Sequence, residues 1–403
     1  MNEAPRHSTR TKSPPHIATL ILLAGISALA MNIFLPSLPR MAAFFETDFA
    51  VMQLSVSLYL AVNAVLQILI GPISDFYGRR PVILWGLTLF CLATLGCLLA
   101  PNATWFLIFR MAQSCVAVAL VIGRAAVRDQ YDTDRAASMI GYVTMGMAVV
   151  PMIGPAIGGA MEAALGWKST FWLLLALGLG ALTLAHVDFG ETRKITGLTL
   201  HQQLAQFPDL LRSPRFWGYS LACGLSSGAF FSYLGGAAYV GEVVYGLDPV
   251  ILGVYFGAPA LGYFLGNFIS GLYSVRLGIN RMVLWGCLIC VLGLVPSMVI
   301  TAMGLGSAIS FFGLMTFVGV GNGLTIPNAT AGALSVRPHL AATASGLSGA
   351  IMLGLGAMLS AFAGTLLHPD SSGLSLLALM NATSALSVVA ILLVIRRQRQ
   401  LGI

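Results

Sequence analysis

The chain has 403 residues, of which 57% are hydrophobic and 9% are charged, and its mean hydropathy is +0.87. Soluble domains carry about 25% charged residues, so this composition excludes an ordinary soluble enzyme and indicates an integral membrane protein. The net charge of +7 does not indicate a nucleic-acid partner, because the basic residues lie at the ends of apolar runs rather than on one face.

Residues 1–16 are polar, basic and rich in proline, which predicts a disordered cytoplasmic tail. Twelve apolar runs follow, each long enough to cross the roughly 30 Å hydrocarbon core of a bilayer as a helix. We therefore predict an all-α integral membrane protein. The predicted spans are 17–39, 50–73, 81–100, 103–127, 136–161, 168–188, 215–240, 250–275, 281–302, 305–330, 340–367 and 372–395.

The positions of the basic residues predict the topology. Of the 21 Lys and Arg residues, Arg40 and Lys168 fall in segments predicted outside, and Arg110 falls within a span. The other 18 lie in segments that are on the same side of the membrane as the N-terminus. The positive-inside rule places such segments in the cytoplasm, so we predict that both termini are cytoplasmic. We therefore expect a multi-pass protein of a bacterial-type inner membrane, with a basic cytoplasmic tail at 396–403.

The longest interval between spans, 189–214, divides the chain into an N-terminal six-helix bundle, 17–188, and a C-terminal one, 215–395. Apolar residues recur at helical spacing within this linker, which predicts an interfacial cytoplasmic helix broken near Pro208. These residues are Leu200, Leu204, Phe207 and Leu211.

The two halves share a short pattern. GPISDFYGRR from Gly71 and GLYSVRLGIN from Gly271 match at a glycine, a serine and a second glycine, at an offset of 200 residues. Both stretches follow the second span of their half. Duplicated six-helix bundles are typical of transporters in which two similar bodies rock about a site at the membrane midplane.

The segment GPISDFYGRRP resembles the loop between spans two and three of the major facilitator superfamily, G-x-x-x-D-[RK]-x-G-R-[RK], with Phe76 at the usual basic position. Its glycines permit a tight turn and close helix approach, and its aspartate can pair with a cation or a helix N-terminus. We interpret the segment as an inner gate. The residues assigned to this gate are Gly71, Asp75, Gly78, Arg79, Arg80 and, at the inside end of the fourth span, Asp129.

The fifth span contains PMIGPAIGGAM, which is similar to the G-x-x-x-G-P-x-x-G-G motif of exporters in that superfamily, with Val150 in place of the first glycine. Such a string bends the helix and leaves a smooth face for a neighbouring helix. This pattern favours an export-type hinge. Its residues are Pro151, Gly154, Pro155, Gly158 and Gly159.

A permanent charge, Arg110, lies in the fourth span within WFLIFRMAQSCVAVALVI. The stretch RMAQS resembles a basic fourth-span motif, R-x-x-Q-G, with Ser114 in place of glycine. Together with NIFLPSLP, QLSVSLYL, ALVIGRAAVRD and GWKSTFW, it resembles the bicyclomycin- and chloramphenicol-type efflux branch, the Bcr/CflA group. The resemblance implies the major facilitator fold, with twelve transmembrane helices in two pseudo-symmetric six-helix bundles, and drug:proton antiport.

Burying a guanidinium in hydrocarbon costs about 3 kcal/mol or more, so we expect Arg110 to face the bundle interior and to have partners there. Neutral amide dipoles are one possibility. The other is that the cargo supplies the counter-charge, which would favour anionic substrates. The nearest amides by span position are Asn32, Asn63, Gln67 and Gln113, and Tyr59 is expected to add an aromatic face to the same cavity.

The proton carrier is an open question. In the resembled branch a first-span acid is the usual proton-linked group, whereas this chain has Asn32 there, which does not titrate near pH 7. None of the 14 acids lies in the middle of a predicted span. Asp75, Asp129, Glu162 and Glu242 remain candidates if they are desolvated in one state. If none of them couples, the protein is a facilitator driven by the cargo gradient.

The sequence has no HExxH, GxSxG or phosphate-loop motif, so we predict no enzyme activity and no cofactor. The isolated CxxC at Cys287 and Cys290 predicts core packing rather than a metal site. We expect a monomeric secondary exporter of small amphiphilic or antibiotic-like molecules, with protons and the lipid bilayer as its other partners. An anion-selective or uncoupled facilitator that uses Arg110 is the alternative, and a transporter-derived sensor is a further one.

Overall fold

The structure is a computed structural model, which describes residues 15–130, 150, 153–192, 207–337, 341–367 and 373–402. In these ranges all regular secondary structure is helical, as predicted. Most of the predicted tail, Leu200 and Leu204 of the predicted interfacial helix, and Pro151 of the fifth span lie outside the described residues.

Helices occupy the positions of the twelve predicted spans, the fifth in its described part. Those of the N-terminal half are Ile17–Asn32 with Leu38–Phe44, Phe49–Tyr77, Arg79–Leu99, Ala103–Gln113 with Ala117–Gln130, Ile153–Leu165 and Lys168–Asp188. Those of the C-terminal half are Pro214–Tyr239, Pro249–Tyr255 with Gly257–Leu277, Ile279–Ala302, Met315–Ser335, Ala341–Thr365 and Leu374–Leu401. The 3₁₀ turns Leu35–Ser37 and Ser114–Val116 interrupt the first and fourth spans.

Ten of these helices, among the described residues, are long and apolar enough to cross a membrane. The described part of the fifth span, Ile153–Leu165, is shorter. The seventh helix, Pro214–Tyr239, has 26 residues but is rich in glycine and serine, and most of its residues are buried. A helix enclosed by other helices does not face lipid, so it can carry small and polar residues that pack against its neighbours.

The helices depart from the predicted spans in three places. The first span breaks after Asn32, because Pro36 has no N–H with which to continue the helical hydrogen bonds. The tenth, predicted at 305–330, runs over Ile309–Ser335 and starts with a π-helical turn. The last helix continues through the basic residues up to Leu401, because arginine and glutamine are good helix formers.

The described end of the linker is one short helix, Phe207–Leu211, which contains Pro208. The preceding residues 193–206 lie outside the described residues, so the break expected near Pro208 stays a prediction.

The predicted duplication is visible in the backbone at Gly78 and Gly278. Each glycine ends the second helix of its half in the left-handed region, with φ of 99° and 80°. The N–H of Gly78 donates to Ser74 O at 3.1 Å, and that of Gly278 donates to Ser274 O at 3.0 Å. The shared sequence pattern therefore encodes the same helix end twice, because glycine takes a positive φ without steric cost.

Each end of the molecule has a cluster of charged residues around one arginine. The Arg79 end is where Arg79, Asp129 and Glu191 meet, and the Arg40 end is where Arg40, Glu162 and Glu242 meet. The first lies at the side that the charge distribution predicts to be cytoplasmic.

The two halves pack on each other mainly through the helices Phe49–Tyr77 and Ala341–Thr365. Gln53 is fully buried between them, and its Nε2 donates to the backbone oxygen of Ser360 at 2.5 Å and to the hydroxyl of Ser360 at 2.8 Å. The rings of Phe49 and Tyr239 meet at 4.9 Å between centroids. These contacts lie towards the Arg40 end, and farther along the same two helices Gln67 meets Gly349 of the other half.

Candidate substrate and gating sites

Arg110 lies inside the N-terminal half with 0% of its surface exposed. Its Nε donates to Ser55 O at 3.3 Å, its Nη2 donates to Ala30 O at 2.8 Å, and its Nη1 donates to Oε1 of Gln113. Ala30 is among the last four residues of the helix Ile17–Asn32, and the carbonyls of such residues have no partner within their helix. The guanidinium therefore occupies the negative end of a helix dipole.

Two aromatic rings complete the surroundings of Arg110. Its guanidinium carbon lies 4.4 Å from the ring centre of Phe34 and 4.1 Å from that of Tyr59. Ring faces attract cations, more strongly where water is excluded. Within the described residues no carboxylate lies within 4.0 Å of this guanidinium. The geometry therefore matches the hypothesis that neutral groups hold Arg110, and Tyr59 and Gln113 are the predicted residues that contact it.

Gln113 is itself held in place by a chain of hydrogen bonds. Its Nε2 donates to the hydroxyl of Thr94 at 2.8 Å, and that hydroxyl donates to Phe90 O at 2.6 Å. The predicted site omitted Thr94, because a lone threonine in an apolar run gives no signal of its partner. The chain fixes the amide so that its oxygen faces the guanidinium.

The other three predicted amides do not bind Arg110. Asn32 donates to Ala28 O at 2.8 Å in its own helix, and its Oδ1 is buried without a hydrogen-bond partner in the described chain. Gln67 faces the C-terminal half, where its Oε1 lies 2.8 Å from the position a Cβ would take at Gly349. Asn63 is not among the hydrogen-bond partners that the described residues provide to the guanidinium.

At the Arg79 end, the predicted gate is a set of bonds at the start of the third span. The two carboxylate oxygens of Glu191 accept the backbone N–H groups of Arg79 at 2.9 Å and of Arg80 at 3.2 Å. The Nε of Arg79 lies 3.2 Å from Oδ2 of Asp129, and its Nη1 donates to the hydroxyl of Ser74. A carboxylate at a helix N-terminus is favoured by the helix dipole.

Glu191 therefore occupies the helix N-terminus that Asp75 was a candidate to bind. Asp75 lies in the helix Phe49–Tyr77, and its side chain is outside what the structure describes. At Gly71 a Cβ would meet no atom of the described residues within 4 Å, so a close helix approach there stays a prediction. Gly78 does need to be glycine, because it has a positive φ and a Cβ would lie 2.5 Å from Oε2 of Glu191.

Replacing Glu191 with glutamine should weaken this attachment. Glutamine keeps one acceptor oxygen but loses the charge that the helix dipole favours, which is worth about 0.3 to 1 kcal/mol at an exposed site. We expect the melting temperature in detergent to fall by about 1 to 3 °C. The matched control is Glu46→Gln, an exposed acid at the Arg40 end. Equal melting temperatures for the two variants would contradict the role of Glu191.

The exporter-like motif of the fifth span packs against two backbones. A Cβ at Gly158 would collide with the carbonyl oxygen of Ile33, which lies in the break of the first span. A Cβ at Gly159 would collide with the carbonyl oxygen of Pro249, which starts the eighth span in the other half. Adjacent glycines thus serve two contacts, one within the N-terminal half and one between the halves.

The contact between the fifth and eighth spans is reciprocal. A Cβ at Gly253 would collide with the carbonyl oxygen of Pro155, and it would lie 2.9 Å from the Cα of Ala156. Gly154 faces the first span instead, where a Cβ would lie 3.0 Å from Cδ1 of Leu29. The motif therefore lets helices of both halves approach to backbone distance at the Arg40 end.

Beside this contact, Arg40 lies between two glutamates. Its Nη1 is 3.8 Å from Oε1 of Glu162, and its Nε is 3.8 Å from Oε1 of Glu242. Glu162 is almost fully buried, with 4% of its surface exposed. The sequence predicts Arg40 in an outside segment but does not indicate that Glu162 and Glu242 lie beside it, because the three residues belong to three different spans.

Comparison with known proteins gives the family of the chain. The family model described as Major Facilitator Superfamily matches residues 20–361. The chain belongs to the major facilitator superfamily. It is accordingly a multi-pass membrane transporter and not an enzyme.

Curated relatives of this superfamily member support the Bcr/CflA type. It is 32% identical over 367 residues to a chloramphenicol resistance protein of Pseudomonas aeruginosa, covering 87% of this chain and 83% of that protein. It is 25% identical over 380 residues to a bicyclomycin resistance protein homologue of Haemophilus influenzae, covering 93% and 94%.

A solved structure shows the same fold. This is a bacterial homologue of the human lysosomal transporter Spinster, in an inward-facing and occupied conformation. It superposes with a TM-score of 0.71 at 17% identity, covering 95% of this chain and 96% of that one. The major facilitator fold predicted from the sequence is thereby confirmed.

Proposed function

We propose that this transporter exports small amphiphilic, antibiotic-like molecules across the inner membrane of a bacterium, by alternating access coupled to the proton gradient. The bundles 17–188 and 215–395 act as the two moving bodies of a monomer. The Arg79 end and both termini face the cytoplasm. The similarity to proteins named for chloramphenicol and bicyclomycin resistance supports the substrate class.

The observation that carries the proposal is the contact between Gly159 and the backbone of Pro249. It joins the halves at one end by direct backbone packing, as a transporter requires when that end is closed. The charge of Arg40 bridges the same two halves beside it. A seal built at one end of two similar bundles supports the alternation of two states.

Aromatic residues of the C-terminal half pack into a buried cluster, which we propose an amphiphilic cargo contacts when the halves separate. Tyr233 lies 6.4 Å from Phe230 and 5.3 Å from Phe256, measured between ring centroids. The hydroxyls of Tyr233 and Tyr59 are buried without hydrogen-bond partners in the described chain. Mostly apolar pockets with a few polar groups are typical of sites for small molecules.

Arg110 supports the exporter over the anion-selective facilitator. Its guanidinium is fully buried and is bonded to carbonyl and amide oxygens of its own half. Because the protein already provides hydrogen-bond partners for this guanidinium, an anionic cargo is not required to balance it. We assign Arg110 to holding the first, second and fourth spans together beside the site.

Drug susceptibility and proton movement together test the proposal. A pump-deficient bacterial host that expresses the chain should tolerate higher concentrations of chloramphenicol than a host with the empty vector. In everted membrane vesicles that have been acidified by respiration, adding the drug should release protons, as reported by a pH-sensitive dye. Unchanged susceptibility would overturn drug export, and drug movement without proton release would identify an uncoupled facilitator.

A further inference from the structure

We infer that Arg40, Glu162 and Glu242 form a proton-binding gate, in which one proton shared by the two carboxylates holds the two halves together at the Arg40 end. The inference rests on the alternation proposed above and names a group on which the proton acts. Asn32, at the position of the usual acid, cannot provide such a group.

The cluster spans the boundary between the halves. Arg40 belongs to the second helix of the first span and Glu162 to the fifth span, so both lie in the N-terminal half. Glu242 lies in the π-helical turn Val240–Val244 that follows the seventh span, in the C-terminal half. The two distances of 3.8 Å from the guanidinium therefore form a bridge between bodies that separate when this end opens.

The charges of the cluster do not balance. Two ionised carboxylates around one guanidinium leave a net charge of −1 at a partly buried place, where the side chain of Glu162 is 3% exposed, that of Glu242 is 29% exposed and that of Arg40 is 46% exposed. The second oxygen of each carboxylate, Oε2, is buried and has no hydrogen-bond partner in the described chain. Carboxylates that share a site do not both stay ionised at low cost, and the pair titrates as a unit. One added proton makes the cluster neutral.

Other polar groups at this end are engaged elsewhere or carry no positive charge. Asp248 accepts two backbone N–H groups at the start of the eighth span, at 2.9 and 3.0 Å. Lys168 lies over two aromatic rings, at 5.1 and 5.6 Å from their centres. Glu46 and Asp48 are exposed in the loop after the first span, and the Ser37 hydroxyl faces Glu162. Among the described residues Arg40 is the cation within 4.0 Å of either carboxylate.

The direction of the pH effect follows from this geometry. Opening moves Glu242 away from the other two residues, so water reaches both carboxylates and the shared proton leaves. The closed state therefore binds one more proton than the open state. Lower pH favours closure, and a difference of one proton changes the ratio of closed to open molecules about tenfold per pH unit within the titrating range.

The test measures closure directly as a function of pH. Spin labels on Leu165→Cys and Leu305→Cys report the distance between the halves, because both residues are exposed and lie at the Arg40 end. The label pair is placed in the full chain in lipid nanodiscs without drug. The signal of the same chain without introduced cysteines gives the background. We expect the short-distance population to rise about tenfold per pH unit as pH falls.

Four variants make the expectation specific. Glu162→Gln and Glu242→Gln each leave one carboxylate for one guanidinium, so the closed population should no longer depend on pH. Arg40→Gln should require two protons for closure, which steepens the dependence towards about a hundredfold per pH unit and moves it to lower pH. Asp48→Asn, the matched control at the same end, should behave like the parent.

Two results would overturn the inference: a parent chain whose distances do not change with pH, or glutamine variants that keep the parent's slope. Drug transport is measured separately in the same lipids. If the spin-label distances change with pH but the protein transports no drug, the proposed function is wrong and the proton-binding gate is supported. If the protein transports drug but the spin-label distances do not change with pH, the proton-binding gate is wrong and the proposed export function is supported.

Discussion

Replacing Gly159 with alanine should open the Arg40 end and reduce drug export about fivefold or more. The added methyl group would meet the backbone carbonyl of Pro249, which cannot move aside as a flexible side chain can. Overpacking of this kind costs about 1 to 3 kcal/mol, which corresponds to about 5- to 150-fold in the ratio of closed to open molecules. The spin-label distance between Leu165→Cys and Leu305→Cys measures that ratio.

The neighbouring glycine separates a gating effect from a folding effect. Gly158→Ala would meet Ile33 within the N-terminal half, so we expect it to lower the melting temperature without a selective effect on the Arg40 end. Gly180→Ala is the neutral control, since a Cβ there meets nothing within 4 Å. The interpretation of Gly159 fails if Gly159→Ala keeps the parent's closed population and transport.

Replacing Arg110 with methionine should destabilise the N-terminal half by about 3 kcal/mol or more. The change removes the donors for Ala30 O, Ser55 O and Oε1 of Gln113, and hydrogen bonds from charged groups contribute about 1.5 to 3 kcal/mol each. Arg110→Lys should recover part of the loss. Lysine keeps the charge at the helix C-terminus but has no planar group to lie against Phe34 and Tyr59. Thermal unfolding followed by tryptophan fluorescence gives the order parent, lysine, methionine.

The same series decides between the two hypotheses for the counter-charge. If Arg110 is bound by the protein's own dipoles, Arg110→Gln should lose stability in the absence of any cargo. If the cargo were its counter-ion, Arg110→Gln would keep the parent's melting temperature and lose selectivity for acidic drugs. That second outcome would contradict the role derived from the hydrogen bonds.

Features encoded by local patterns were predictable. Glycine at 78 and 278 permits a positive φ that most residues avoid, which explains why the repeated motif ends a helix in both halves. The burial of Arg110 was also predictable, because a guanidinium in a membrane span requires partners in the protein interior. The position of Pro36 indicates where those partners are, because it marks the end of the first helix. A helix that ends before a proline leaves carbonyls free at its C-terminus, and Ala30 is one of them.

Features set by contacts between distant segments were not predictable. Glu191 binds backbone groups 112 residues earlier in the chain, and nothing in its neighbourhood indicates this. In the sequence, Arg40 looks like an ordinary exposed charge, but in the fold Glu162 and Glu242 lie beside it. These contacts join residues far apart in the chain, so no local pattern in the sequence indicates them.

The contacts of the predicted amides were not predictable for a different reason, which is helix register. Asn63 and Gln67 were chosen by their depth in the second span, yet an error of one residue turns a side chain about 100° around the helix axis. Gln67 lies at a suitable depth but faces Gly349 of the other half. Gln113 contacts Arg110 because its position three residues after Arg110 puts both side chains on one face of one helix.

Distances at both ends of one molecule test the alternation most directly. Label pairs at Leu165→Cys with Leu305→Cys and at Val187→Cys with Val275→Cys report the Arg40 end and the Arg79 end, and all four residues are exposed. Across changes of pH and drug concentration, we expect one distance to lengthen whenever the other shortens. Two distances that stay fixed while the same sample transports drug would contradict alternating access between the two halves.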